Sequence, residues 1–244
     1  MRATVVALYD AERGFPQSRL WGRRMVRHTL GLALLLTLVV LAVSACAGGG
    51  GEEKAKARPL PEDPRELRPG EYRSEEFKPS LSFRVGEGWE SDVLEISDVL
   101  SIKRGEEAGL AFWKVQEVYK PGTTLEVVEA PKDLVGWFQQ HPYLQTDKPE
   151  PITIGGVKGV EFDVVVENVP ENYSGACGSD CVDILKSSDG SWWAFAEDYK
   201  ERVIILEDVQ GERVTIDFGS LATEFDEFAP KAEKVLDSVE WKGA

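Results

Sequence analysis

The chain has 244 residues, of which 42% are hydrophobic and 29% are charged, and its formal net charge is −15. That length fits one domain of ordinary size plus a tail. After residue 45 the acidic excess grows, with 41 Asp and Glu against 22 Lys and Arg. Such a surface repels phosphate backbones, so nucleic acid is not expected as a partner. The excess is typical of a soluble surface, and binding of cations or of a cationic partner is the alternative.

An apolar run from Leu30 to Val43 follows Arg23, Arg24 and Arg27 and precedes the small residues Ser44 and Ala45. A basic segment, an apolar segment and a small-residue cleavage site, in this order, predict an export signal. A retained transmembrane helix is the alternative, but it requires about 20 apolar residues. The run is shorter than that, so we expect residues 25–45 to be removed as a signal peptide.

Val43-Ser44-Ala45-Cys46 resembles the lipobox of bacterial lipoproteins. The resemblance implies that the thiol of Cys46 is joined to diacylglycerol and that cleavage occurs directly before it. The protein is then expected on the extracytoplasmic face of the cell membrane, with the membrane as a partner through Cys46. An ordinary secretory signal with an incidental cysteine is the alternative. Residues 1–24 do not fit a basic leader, and we expect them to be a gene-model extension before a start at Met25.

Residues 46–71 begin with glycines and continue with charged residues and prolines, with few large apolar side chains. Such a segment buries too little surface to offset the entropy of ordering it, so a flexible tether is predicted. From residue 72 to 244 the pattern changes to short apolar runs bounded by Gly, Pro and Asp, which predicts a single globular domain.

Alternating apolar residues predict strands in this domain around residues 77–85, 93–103, 110–119, 152–154, 157–166, 182–186, 192–196, 202–209 and 213–218. The last two strands are expected to form a hairpin around Gln210-Gly211. Apolar residues at helical spacing predict helices over 131–141 and 224–239. This order of elements predicts an α+β domain, an antiparallel β-sheet with helices packed on it.

Three segments of the domain resemble the PsbP-like fold. Phe83–Trp89 resembles its entry strand and Gly-Trp turn, and Ile154–Phe162 resembles its Gly-Gly-x-x-Gly strand. The predicted C-terminal helix that ends at Ser238–Trp241 resembles its closing element. The resemblance implies a PsbP-like α/β sandwich. This fold includes extrinsic photosystem subunits and LpqN-type envelope lipoproteins, which implies a binding or assembly accessory. The family has no common catalytic motif that could be transferred to this chain, and fold does not fix function.

Cys177 and Cys181 are the only cysteines after Cys46. Outside the cytoplasm, two thiols four residues apart predict a structural disulfide. A redox-active pair more usually has Cys-x-x-Cys spacing at the start of a helix. A zinc site would need two more ligands, and the mature chain has only His141 and carboxylates to supply them.

His141, the sole histidine of the mature chain, ends the first predicted helix, where a cation near the C-terminal dipole is favoured. Ser187, Ser188 and Ser191 lie in a predicted turn and lack the surroundings of a nucleophile. A pair of carboxylates could serve a glycosidase, with the candidates Glu95, Asp98, Glu161, Asp163, Glu207, Asp208, Asp217, Glu224 and Asp226. The spacing that binds calcium and the loop that binds nucleotides are both missing from the sequence, so no metal or cofactor is expected.

Gly155, Gly156 and Gly159 are followed by a predicted strand, which favours a bulge or hairpin over a phosphate-binding loop. Aromatic residues could line an exposed groove, the candidates being Phe112, Trp113, Trp192, Trp193 and Phe195. The sequence therefore predicts a non-enzymatic, membrane-anchored accessory or ligand-binding module of the cell envelope, whose partner is an envelope protein or a small ligand. The alternative is an envelope hydrolase that uses paired carboxylates.

Overall fold

The computed structural model describes residues 56–122, 126–173, 175, 180–188, 190 and 192–243. The predicted export signal, the predicted lipid-attachment residue Cys46 and Cys177 lie outside the described residues. The described part of the chain is mostly β-structure with two α-helices, α1 (Leu134–Gln140) and α2 (Phe225–Leu236).

The strands are, in chain order, β1 (Arg58–Pro59), β2 (Gly70–Arg73), β3 (Leu81–Val85), β4 (Glu90–Glu95), β5 (Val99–Lys103), β6 (Gly109–Trp113), β7 (Glu117–Tyr119), β8 (Val127–Glu129), β9 (Leu144–Thr146), β10 (Glu150–Ile154), β11 (Val157–Val166), β12 (Cys181–Lys186), β13 (Trp192–Ala196), β14 (Tyr199–Val209), β15 (Glu212–Leu221) and β16 (Glu240–Trp241).

These strands form three sheets. The central sheet has eight strands in the order β10-β11-β14-β15-β6-β5-β4, with β9 also paired to β11. An outer sheet has the order β1-β2-β3-β16, and a small sheet has the order β13-β12-β7-β8. Neighbouring strands are antiparallel except β1 and β2, which are parallel.

The central sheet is covered on both faces, and the alternation of side chains along β14 shows how. Ile204 and Leu206 contribute to a first core with α2 and the outer sheet, whereas Val203 and Ile205 contribute to a second core with α1 and the small sheet. All four side chains are fully buried. A strand that is buried on both faces reads as a continuous apolar run, as this one does.

Helix α2 buries one face against the central sheet. Its buried residues are Phe225, Phe228, Ala229, Ala232, Val235 and Leu236, at the spacing of an amphipathic helix. Ring stacking fixes its first turn, because Phe218 of β15 lies 6.0 Å from Phe225 and 6.3 Å from Phe228 between centroids. Neither described helix is long and apolar enough to cross a membrane.

The predictions of both helices, the antiparallel pairing and the β14–β15 hairpin are confirmed. Gln210 and Gly211 both have positive φ, as the turn of such a hairpin requires. Two predicted strands are each divided: residues 93–103 belong to β4 and β5, and residues 110–119 belong to β6 and β7. The predicted single sheet with helices packed on it becomes three sheets, and most of the covering layers are strands rather than helices.

The prediction of a flexible tether over residues 46–71 is wrong from residue 56 onward. Residues 58 and 59 pair with β2, and Leu60 and Leu67 are buried in the first core. The backbone N–H of Leu67 also donates to the carbonyl of Trp89 at 2.7 Å. The composition of residues 46–71 did not predict this order. Burial of two leucines and pairing of one short strand are enough to fix residues 56–71, because the rest of the domain supplies the surface against which they pack.

Candidate functional site

A surface groove lies at one end of the small sheet. Its volume is about 470 Å³, and its lining residues are Val115, Gln116, Glu117, Glu129, Ala130, Lys186, Ser187, Ser188 and Arg213. Three neighbouring strands, β12, β7 and β8, supply Lys186, Glu117 and Glu129, while β15 of the central sheet supplies Arg213. The groove therefore collects two cations and two carboxylates from four strands.

The register of the small sheet places three of these charges in one row. Lys186 is paired with Glu117, and Glu117 is paired with Glu129 on its other side. Directly paired residues project from the same face of a sheet, and like charges in that position repel each other. No ion pair within 4.0 Å joins any of the four charged groove residues to another described residue.

Hydrogen bonds to and from the backbone hold two other lining residues of the groove, Arg213 and Ser188, in place. The Nη1 of Arg213 donates to the carbonyl oxygens of Pro131 and Lys132, at 2.9 Å each, and its Nε is buried without a hydrogen-bond partner. The Oδ2 of buried Asp98 accepts the backbone N–H of Ser188 at 2.8 Å. These contacts fix the guanidinium group and the serine loop without neutralising the charge of Arg213.

Two acidic side chains, Glu201 and Asp217, are buried on the face of the central sheet that carries the second core. Asp217 is 2% exposed and Glu201 is 7% exposed. Asp217 pairs with Val203, two residues along β14 from Glu201, which makes the two acids diagonal neighbours. Glu201 is paired with Gly219, where a Cβ atom would lie only 1.8 Å from Oε2 of Glu201.

Burial raises the pKa of Glu201 to about 8. Burial, and then the charge of Glu201, raise the pKa of Asp217 well above its usual range, and the indole N–H of Trp113 opposes this by lowering it. Oε2 of Glu201 and both carboxyl oxygens of Asp217 have no hydrogen-bond partner of normal geometry. A charged carboxylate is costly in such a site, so the neutral, protonated pair is favoured at neutral pH.

The acid pair does not fit the predicted carboxylate hydrolase. A glycosidase pair must contact both a sugar and a water molecule, whereas these carboxyl groups are closed off from solvent. Of the two acids the sequence singled out only Asp217. Glu201 was missed, although its alternation with Val203 and Ile205 along β14 points to the same buried face.

The other carboxylate candidates are scattered and mostly structural. Oε1 of Glu95 accepts the N–H groups of Glu75, Glu76 and Phe77. On the opposite face of the central sheet from the acid pair, Asp163 bonds Arg202 at 2.7 Å and Lys200 at 2.7 Å, and these cations lower its pKa against the effect of burial. The exposed candidates are Glu207, Asp208, Glu224 and Asp226.

The interpretation of His141 as a helix-end cation is wrong. His141 caps the C-terminus of α1, but its side chain is only 4% exposed, and burial lowers its pKa to about 4. It is therefore neutral at physiological pH. Its Nδ1 accepts the backbone N–H of Tyr143 at 3.3 Å, and its ring packs 5.0 Å from Trp137 between centroids.

The aromatic candidates do not form an exposed strip. Phe112, Trp113 and Phe195 are buried, and only Trp192 and Trp193 are half-buried. Trp113 instead stacks edge-on against Trp193, with centroids 5.0 Å apart, and so joins the central sheet to the small sheet. This contact lies on the same face of the central sheet as the acid pair.

Gly155 and Gly156 form the turn between β10 and β11, both with positive φ, which confirms the hairpin interpretation. Ser187 and Ser188 lie at the groove, and Ser191 is outside the described residues. Cys181 begins β12 and is buried, whereas Cys177 lies outside the described residues, so their disulfide stays a prediction. Within the described part of the chain, no group of three or more His, Cys, Asp or Glu could hold a metal ion.

No family model matches the sequence, and no curated protein matches it. Several solved structures are similar to this chain, among them the following three. A protein of Bacteroides thetaiotaomicron VPI-5482 shares 10% identity at a TM-score of 0.35 over 67% of this chain, which spans 45% of that protein. The cyanobacterial PsbP (CyanoP) of Synechocystis sp. PCC 6803 shares 12% identity at a TM-score of 0.36. Its match covers 72% of this chain and 95% of CyanoP.

The third structure is LpqN of Mycobacterium tuberculosis, a protein involved in cell envelope biogenesis. It shares 9% identity at a TM-score of 0.28, over 73% of this chain and 90% of LpqN. CyanoP and LpqN carry the names of the two groups that the sequence motifs resemble.

Proposed function

We propose that the chain is a lipid-anchored protein of the extracytoplasmic face of the cell membrane and acts as a non-enzymatic accessory that binds a ligand or partner in the groove. The observation that carries the proposal is the set of four charged groove residues that form no ion pair with another described residue. Polar groups that converge on a concave site without partners of their own are what a binding site provides. The lipobox at Cys46 supports the location.

Anchoring is tested by Cys46→Ser, which removes the thiol that carries the lipid. We expect the parent to sediment with membranes and to enter the detergent phase on Triton X-114 partitioning. The variant is expected to stay unprocessed or to be released in soluble form. Cys177→Ser/Cys181→Ser, at matched expression, is the control, because it removes the two other cysteines together and keeps Cys46. A Cys46→Ser protein that is processed and partitions like the parent would show that Cys46 is not the anchor.

The binding role is tested by complementation of a deletion strain at matched protein levels. Glu117→Gln/Glu129→Gln/Lys186→Gln removes three groove charges from positions that are half-buried or exposed, so the fold is expected to be kept. We expect this variant to lose complementation and His141→Ala to keep it. Complementation by the groove variant would contradict a role for the groove. Loss of complementation by a folded, membrane-attached His141→Ala protein would favour chemistry at that residue over simple binding.

A further inference from the structure

We propose that the groove binds a small zwitterion, with the ammonium group between Glu117 and Glu129 and the anionic group, a carboxylate or a phosphate, on Lys186 and Arg213. This inference rests on the proposed function and names the ligand class of the same site. It rests on the pair of carboxylates, the two cations, the spacing between these groups and the net charge of the four groove side chains.

Glu117 and Glu129 form the cation-binding half. They stand directly opposite each other on β7 and β8, which places their Cβ atoms about 5 Å apart. Both are exposed at the groove, and neither carboxylate forms an ion pair within 4.0 Å with a Lys or Arg of the described chain. An ammonium group has three donors, so between two carboxylates it can form charge-assisted hydrogen bonds to both and remove their mutual repulsion.

Lys186 and Arg213 form the anion-binding half. No carboxylate of the described residues forms an ion pair with Lys186 within 4.0 Å, and the hydrogen bonds of Arg213 go to the neutral carbonyls of Pro131 and Lys132. Those two bonds hold the guanidinium group in place and leave its charge uncompensated. A guanidinium group and an ammonium group that line the same groove can both donate to a carboxylate or phosphate held between them.

The spacing and the net charge select a ligand with two opposite charges. Lys186, Glu117 and Glu129 lie on adjacent strands, so the backbone of Lys186 is about 5 Å from that of Glu117 and about 10 Å from that of Glu129. The four side chains sum to zero charge, so a ligand with a single charge would leave one half uncompensated. The acidity of the whole chain further disfavours a simple anion. The volume of about 470 Å³ suits a small molecule.

The test is isothermal titration calorimetry on the purified full chain. The probes are 4-aminobutyrate, 6-aminohexanoate and phosphoethanolamine, with butyrate and butylamine as controls that carry one charge each. We expect at least one zwitterion to bind about tenfold more tightly than either control, the effect of one additional charge-assisted hydrogen bond. Preference for phosphoethanolamine would identify a lipid headgroup as the source, and preference for an amino acid would identify free amino acids or peptide ends.

Two variants locate the binding. Lys186→Gln and Glu117→Gln should each weaken the preferred zwitterion about tenfold. Lys158→Gln, an exposed position on β11, should leave it unchanged. Equal affinity for zwitterions and single charges, no binding of any zwitterion, or binding that ignores both groove variants would overturn the inference. If zwitterions do not bind while the groove variant still loses complementation, the binding role stands and only the ligand class is wrong.

Discussion

Glu201→Gln should raise the free energy of unfolding by about 1–3 kcal/mol at pH 7.5. The pKa of Glu201 is about 8 in the fold, against an ordinary value of 4.5, so folding at this pH takes up a proton. The free energy of unfolding then falls by about 1.4 kcal/mol per pH unit for this group, between pH 4.5 and 8. Gln is neutral at every pH and has nearly the same shape, so the variant loses this dependence.

The measurement is urea unfolding of parent and variant at half-unit steps from pH 5 to 8.5. Glu207→Gln is the matched control, because Glu207 lies on the same strand but is exposed. It should leave both the stability and its pH dependence unchanged. The raised pKa of Asp217 should maintain part of the slope in Glu201→Gln. A variant that is less stable than the parent throughout the range would show that the charged form of Glu201 stabilises the fold.

Gly159→Ala is expected to lower the free energy of unfolding by about 2–4 kcal/mol, as overpacking against backbone does. A Cβ atom at Gly159 would lie 2.3 Å from the carbonyl oxygen of Ile205 on the neighbouring strand β14. That oxygen belongs to the backbone of the central sheet, so the clash can be relieved only by moving β11 away from β14. Gly159 is therefore required for close approach rather than for an unusual backbone angle.

Gly86→Ala is the control for this substitution. A Cβ atom at Gly86 meets nothing within 4 Å, and its φ is ordinary, so the change should stay within about 0.5 kcal/mol. Thermal unfolding of the three proteins at one pH is sufficient to compare them. Equal stability of Gly159→Ala and Gly86→Ala would contradict the prediction. It would mean that β11 can move away from β14 without loss of folding free energy, although the two strands are paired along seven residues.

Local patterns were enough to predict the elements that carry strong signals. Alternating apolar residues and Gln210-Gly211 predicted the β14–β15 hairpin, and helical spacing predicted α2. The divided strands show the limit of such patterns, because a turn such as Ile96–Asp98 between β4 and β5 lacks glycine and proline. Strand β1 was missed because its Arg-Pro sequence is typical of a linker.

The groove was missed for a different reason. Lys186 and Glu117 are almost 70 residues apart, and only the pairing of β12 with β7 brings them into one row. A single sequence gives no register between distant strands, so neither this pair nor Arg213 could be assigned to a common surface. The burial of the acid pair could be predicted in part from the sequence, since alternation along β14 and β15 points Glu201 and Asp217 to buried faces.

The parallel pairing of β1 with β2 sets how far the domain can stand from a lipid at Cys46. Residue 56, the first that the structure describes, lies ten peptide links after the proposed anchor, and covalent geometry limits that stretch to about 36 Å. A flexible tether over all of residues 46–71 could have extended to more than twice this length. If Cys46 carries a lipid, residue 56 lies within about 36 Å of the attachment point, and the domain is exposed to a high local concentration of membrane-bound ligands.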